Sequence, residues 1–288
     1  MRFSYNPSMC EFSQYLPLTI AAEEAGFHSV SFPDSLCYPE HSSSEYPYND
    51  SGSREFLKDL PFADALVMIP YLAARTSKIR FNTAVYKLAV RQPVVVAKQL
   101  STLAVITGGR FDFGVGLSPW PEDFEACQIP WEKRGQRFDD QIHIIRALLS
   151  GEFFSYQGKQ LSIASLKLCP VPAEPVPILI GGHSDAALRR AAMLGDGWIG
   201  AGASAEEYRG LIDKLHSYRK EAQRDHLPFA IHVSSIDAYT QNGQDTLAEI
   251  GVDECHIAFR NAYSGKPDTQ SVEQKIVQLH DFANQFIR

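Results

Sequence analysis

Two hydrophobic periods alternate along this chain. Short runs with alternating or continuous apolar character predict β-strands at Arg2–Tyr5, His28–Phe32, Lys78–Val85, Arg110–Val115, Pro177–Ile180, Gly197–Gly200, Phe229–Ser234 and Glu254–Phe259. Between them, apolar positions three and four residues apart predict helices at Phe12–Ala25, Phe62–Ala74, Pro93–Ile106, Gly135–Leu149, Ser184–Leu194, Ala205–Arg224, Gly243–Ile250 and Ser271–Phe286. Strict alternation of strand and helix argues for parallel βαβ units. Eight such units in about 250 residues predict an α/β fold, the (β/α)8 TIM barrel, with a doubly wound open sheet as the alternative.

Three segments depart from this rhythm. Pro33–Pro61 is a long polar loop, Ser118–Arg134 carries Trp120 and Trp131 among prolines, and Glu152–Pro175 reads as a short hairpin followed by a proline-rich connection. Loops of such length in a compact domain are usually functional or disordered. The first two follow strand C-terminal ends, where barrel enzymes place their sites. No linker, repeat or low-complexity tract divides the 288 residues, so a single barrel domain over 1–288 is expected.

Charge and cysteine usage narrow the partners. The net charge is -7 and no cluster of Lys and Arg stands out, which argues against nucleic acid and anionic membrane. No apolar run approaches the roughly 20 residues of a membrane span. The start, MRFSYNPSM, lacks a signal-peptide core, so a cytoplasmic location is expected. The five cysteines form no CxxC, and the nine histidines form no HxH or HExxH, so no metal is expected. GxSxG and Walker motifs are also absent.

The most informative stretch is PVPILIGGHSDAALRRAAMLGDGWI, residues 175–199. An apolar strand runs into Gly181 and Gly182, then His183 and Ser184, then a helix. Glycines let a backbone approach an anion, and the first N–H groups of the helix point at it. Ser184 can act as N-cap, as phosphate ligand, or as both; an ordinary capped βα turn is the alternative. His183, at the helix start, is expected to be a neutral imidazole able to contact phosphate, or else a solvated side chain. Asp34 ends the second strand and is a candidate catalytic or cofactor-facing carboxylate, with a loop cap as the alternative. His41, a second catalytic candidate, and Tyr46 lie in the long loop after it and could line a pocket, with plain exposure as the alternative. In GVGLSPW, residues 114–120, Pro119 occupies the third glycine position of GxGxxG, which disfavours a dinucleotide fold. RGQRFDD, residues 134–140, reads as a solvated helix start with ion pairs three and four residues apart.

Four segments in combination, residues 74–103, GGRFDFGVG at 108–116, RGQRFDD and the 175–199 stretch, resemble the bacterial luciferase-like monooxygenase family. PDSLCYPE and YPYN of the long loop resemble in particular its coenzyme F420-dependent oxidoreductase branch. Resemblance covers most of residues 1–200; the last third matches in layout only. It implies a (β/α)8 barrel with FMN or the deazaflavin F420 at the strand C-terminal ends, and a phosphate at Gly181, Gly182, His183 and Ser184. It also implies a cis peptide at Ala84–Val85, after Thr83, bulging toward the cofactor ring, with Asp34 close by. Val85, Val115, Leu117 and Ile199 would then wall the ring, Gly114 and Gly116 would leave room for it, and Trp120 with the Asp34 loop would cover a small organic substrate. The implied activity is hydride transfer or O2-dependent monooxygenation, and the family is often a homodimer. Two departures from the family's pattern stand out. Ser35 stands where many deazaflavin enzymes have a proton-transferring histidine, and Leu117–Pro119 stand where sugar-phosphate dehydrogenases have a glutamate acid. A catalytically silent cofactor-binding relative, or a non-redox barrel enzyme acting on a phosphorylated substrate, are therefore the alternatives.

Overall fold

The computed structural model describes residues 1–7, 9–42, 52–264 and 266–287. Tyr46 and the YPYN segment lie outside the described residues. Eight parallel strands close on themselves: β1 (Arg2–Tyr5), β2 (Ser29–Phe32), β3 (Arg80–Thr83), β5 (Phe111–Gly116), β8 (Ile178–Gly181), β9 (Gly197–Ala201), β10 (Ala230–Ser234) and β11 (Glu254–Ile257). The ladder runs β3-β2-β1-β11-β10-β9-β8-β5, and β3 pairs back onto β5. This is the (β/α)8 barrel, and the open-sheet alternative is excluded by that closing pair. A two-residue strand, β4 (Tyr86–Lys87), continues beyond β3 and pairs with the end of β5.

The helices α1 (Phe12–Glu24), α2 (Ala65–Ala73), α3 (Pro93–Thr107), α5 (Arg134–Leu148), α6 (Asp185–Leu194), α7 (Ala205–Glu221), α8 (Gln241–Glu249) and α9 (Val272–Phe286) form the outer layer. Their ends follow local chemistry. Asp64 accepts from the N–H groups of Leu66 and Val67 to cap α2, Pro93 opens α3 and left-handed Gly108 ends it. Ser204 with Glu207, and Ser271 with Gln274, form reciprocal capping boxes on α7 and α9.

Some boundaries differ from the sequence expectation for identifiable reasons. The strand expected over Lys78–Val85 begins only at Arg80, because Glu23 accepts from the N–H groups of Ser77, Lys78 and Ile79 and draws them out of the ladder. It stops at Thr83, where the cis Ala84–Val85 peptide interrupts it. The short helix α4 (Pro121–Ala126) was hidden in the tryptophan- and proline-rich segment. The hairpin is present as β6 (Phe154–Gln157) and β7 (Ser162–Leu166).

RGQRFDD is not the solvated helix start that spacing suggests. Asp140 is buried and accepts from Gln160 N–H (2.6 Å), Leu161 N–H (2.9 Å), Lys159 N–H (3.3 Å) and the Tyr156 hydroxyl (3.0 Å). Desolvation pushes its pKa up, but these donors together outweigh it and hold the carboxyl below its ordinary value. Asp140→Ala is expected to cost about 1–3 kcal/mol and to loosen the hairpin selectively. Faster amide hydrogen exchange at residues 156–161, with the barrel strands unchanged, checks this.

The barrel interior is polar on one side, unlike the branched aliphatic filling usual for this fold. Ser29 Oγ lies 2.6 Å from both Ser4 Oγ and Glu254 Oε1, and the Asn82 amide donates to Ser29 (2.9 Å). His232 and His256 stand beside them, buried. Burial lowers the pKa of each to about 4, so both are neutral at pH 7. Next to them, on β8 and β9, the filling is apolar: Ile199 reaches Gly114, and Leu179 fills the space that a side chain at Gly197 would need.

Candidate active site

The C-terminal strand ends carry two groups of residues. The first surrounds Val85. A Cβ on Gly116 would come within 2.7 Å of the Val85 side chain, and one on Gly181 within 2.8 Å. Both glycines therefore make room for Val85, which the cis peptide turns over the ends of β5 and β8. The room expected at Gly116 is thus taken up at least in part by Val85. Gly114 serves a different purpose again: a Cβ there would lie 1.8 Å from the Thr83 carbonyl oxygen, so it permits β3 and β5 to approach. Thr83 itself is buried and its hydroxyl donates to Gly114 O (2.7 Å), which places it in the wall rather than on an exposed surface. Val115 alternates with the two inward glycines and packs in the outer core, so it does not face the barrel interior.

Beside Val85 the chain turns from β8 into α6. Gly182 has φ 121°, which glycine alone adopts readily, and a Cβ there would also meet Ala187 Cβ at 2.9 Å. The Ser184 hydroxyl accepts from Ala187 N–H, and Leu188 N–H reaches Ser184 O. The N–H groups of Asp185 and Ala186, in the first turn, have no preceding carbonyl of the helix to bond. His183 Nε2 accepts from Ala201 N–H (3.0 Å), so the imidazole is the neutral form with this nitrogen unprotonated. Burial lowers its pKa, against the attraction of Glu207. Trp198 and Tyr208 pack against His183 at 5.8 and 6.1 Å between ring centroids, and the Trp198 indole donates to Gly182 O (2.9 Å). Sequence reasoning missed these two aromatics. The apolar WIG run signalled only a strand.

The second group is ionic. Asp34 accepts two hydrogen bonds from Arg91 (2.7 and 2.9 Å) and one from Lys87 N–H (2.8 Å). Arg91 lies over the Tyr86 ring at 3.9 Å. Next to this pair, Asp123 accepts from Lys87 Nζ (2.8 Å) and Ser118 Oγ (2.6 Å), and Arg54 stands 3.6 Å away over Trp120. Trp120 is buried beneath that guanidinium. Asp34, both of whose oxygens are engaged, acts on the rim that carries Val85. His41 is exposed on the long loop and joins neither group. Of the residues singled out by sequence, the structure thus brings together Val85, Gly116 and Gly181 with the adjoining Gly182, His183 and Ser184. Arg91, Lys87 and Asp123 were missed because their partners lie far away in the sequence.

The chain closes a parallel barrel with a glycine turn before α6 and a cis peptide after its third barrel strand. The chain belongs to the luciferase-like monooxygenase family, whose model matches residues 7–282. It is 45% identical over 287 residues to an uncharacterized protein of Mycobacterium tuberculosis, covering 100% of this chain and 99% of that one. An F420-dependent glucose-6-phosphate dehydrogenase of Nakamurella multipartita is 30% identical over 205 residues, covering 69% of this chain and 56% of that protein. Among solved structures, the monooxygenase RslO1 of Streptomyces bottropensis has a TM-score of 0.77 at 17% identity, covering 100% and 99%. The coenzyme F420-dependent tetrahydromethanopterin reductase of Methanopyrus kandleri has 0.70 at 13%, covering 92% and 95%. At these identities the two structures establish a shared fold. No helix among the described residues is long and apolar enough to cross a membrane.

Proposed function

We propose that this chain is an oxidoreductase, acting as one barrel domain, that holds FMN or the deazaflavin F420 at the C-terminal rim. The cofactor's phosphate would lie in the Gly181–Ser184 turn and its ring against Val85. The observation that carries this reading is the turn itself: left-handed Gly182 opens onto the first N–H groups of α6, beside a rim from which Val85 projects. The residues present fit such a group. Its phosphate needs unbonded N–H donors and no Cβ in the way, and both conditions hold. The F420-dependent name of the dehydrogenase relatives favours the deazaflavin.

When bound, the ring supplies the redox chemistry, and the protein's part is binding, orientation and control of access. Asp185 and Ala186 N–H would donate to the phosphate. Ser184 accepts from Ala187 N–H as the cap, and its hydroxyl hydrogen would donate to the phosphate. His183, neutral and held by Ala201 and the two aromatics, fixes the loop without adding charge. Val85 gives one side of the ring an apolar, water-excluding surface. The Asp34–Arg91 pair holds the rim segment that carries Val85, and Asp123 holds Arg54 of the long loop.

Asp34 and His183 are already engaged, which supports a second reading, a cofactor-binding relative without turnover. Fluorescence titration with FMN and F420 side by side tests the first reading. Saturable micromolar binding of one is expected, and binding of neither would sink it. Reduction or oxidation of the bound cofactor by any electron acceptor or donor then separates an enzyme from a silent relative. Gly182→Val is expected to weaken cofactor binding by more than about tenfold, or 1.4 kcal/mol, with circular dichroism unchanged. Unaltered affinity would place the phosphate elsewhere. We also propose a cytoplasmic homodimer: exposed Val67 and Tyr71 on α2 and Val105 and Ile106 on α3 offer an apolar face, and sedimentation gives the mass.

A further inference from the structure

The polar side of the barrel interior contains four buried atoms without a hydrogen-bond partner: Ser31 Oγ, Asn82 Oδ1, His232 Nδ1 and His256 Nε2. Each lost bond of this kind is costly, and such a concentration calls for a physical cause. Strand geometry explains why these atoms meet. Glu254 and His256 are two residues apart on β11 and so share a face, and the register sets His232 of β10 beside Glu254. One ligand atom from each of His232, Glu254 and His256 lies within 4.8 Å of the others. His232 Nδ1 is 3.9 Å from Glu254 Oε1, and the two imidazole rings stand 5.8 Å apart at 79°.

We propose that His232, Glu254 and His256 bind one divalent transition-metal ion of the zinc type as a buried structural centre in the barrel interior. Two imidazole nitrogens and one carboxylate are a borderline donor set suited to zinc, cobalt or nickel and poorly suited to calcium or magnesium. Bonds of about 2.0–2.2 Å would require the donor atoms to close in by roughly 1 Å, which small side-chain rotations supply. Asn82 Oδ1 belongs to the same network and offers a further oxygen. Glu254 Oε2 faces Arg2 at 3.7 Å and His28 at 3.6 Å. Arg2 is 48% exposed at its side chain, so its opposing charge is largely solvated. His28 precedes β2, at the N-terminal end of the barrel. The ion would tie β10 to β11 and, through the hydrogen bonds of Glu254, to β2 and β3. The site does not depend on the cofactor reading.

The test uses the full chain, stripped with EDTA and dialysed. Calorimetric titration with Zn2+ and Co2+ is expected to give one bound equivalent. Co2+ should show the intense visible absorption of a four-coordinate site, Zn2+ should displace it, and Tm should rise with either ion. Crystals soaked in Zn2+ should give an anomalous peak between the three side chains. His256→Gln is expected to weaken binding by at least about tenfold. No saturable binding, an ordered water alone among the three side chains, or an anomalous peak elsewhere would overturn the proposal. If His256→Gln does not fold, the wild-type crystal decides by itself.

Discussion

Asp34→Asn is expected to destabilise the protein by about 3 kcal/mol, lowering Tm by roughly 6–12 °C. The carboxylate is 2% exposed and the guanidinium of Arg91 13%. Removing the negative charge therefore leaves a largely desolvated cation whose remaining partners are the Lys87 carbonyl and the Tyr86 ring. Breaking one side of a buried pair costs more than the pair itself contributes. Two further measurements follow. The double variant Asp34→Leu with Arg91→Met should recover much of the lost stability, because it removes both charges together. In the single variant, cofactor affinity should fall as the segment from Val85 to Lys87 loosens. A Tm unchanged in Asp34→Asn would show that the pair does not hold the rim, and would reopen a direct chemical role for this carboxylate.

Acidification should unfold the metal-free protein earlier than its surface charge suggests. His232 and His256 have folded-state pKa values lowered to about 4 by burial, against about 6.5 in an unfolded chain. Between these values the unfolded state binds more protons than the folded one. Stability therefore is unaffected by these groups above pH 6.5 and declines as pH falls from 6.5 toward 4. Each histidine contributes a loss of about 3 kcal/mol by the bottom of that window, and two such losses rival the whole stability of a typical domain. Urea midpoints measured from pH 7 to pH 4 check this. His183 and His28, whose pKa values burial also lowers, add to the same slope, and His232→Gln should reduce it by about one proton, whatever that variant's stability at pH 7. A flat profile across the window would show that the two imidazoles are not buried in a neutral state.

How much of this was legible in the sequence depends on the range of the interaction. The period-two and period-3.6 runs placed all eight barrel strands and their helices, because burial of one face is written locally. Gly181 to Ser184 were legible for the same reason: a strand, two glycines and a capping serine are adjacent in the chain. Gly114 and Gly116 were visible as glycines, but their use was not. What a missing Cβ makes room for, Thr83 O in one case and Val85 in the other, is set by a neighbouring strand. Arg91 sits 57 residues from Asp34, and Lys87 36 residues from Asp123, so no local pattern joins either pair. The interior histidines were hidden differently. Scanning for HxH found none, although Glu254 and His256 already alternate along one strand and His232 interrupts another apolar run. Reading carboxylates and histidines together at period two would have found the face they share, though not the register that aligns it.

The interior network also bears on how the chain is made. Ser29 and Glu254, which meet at 2.6 Å, are 225 residues apart. At synthesis rates of about 5–20 residues per second, Ser29 emerges roughly 10–45 s before its partner exists. Throughout that interval the first strands have neither β11 beside β1 nor the carboxylate that Ser29 and Asn82 are built to meet. A half-made barrel thus presents an unpaired strand edge and unsatisfied polar groups, which makes the nascent protein a natural client for chaperones that cover such edges until the last strand arrives.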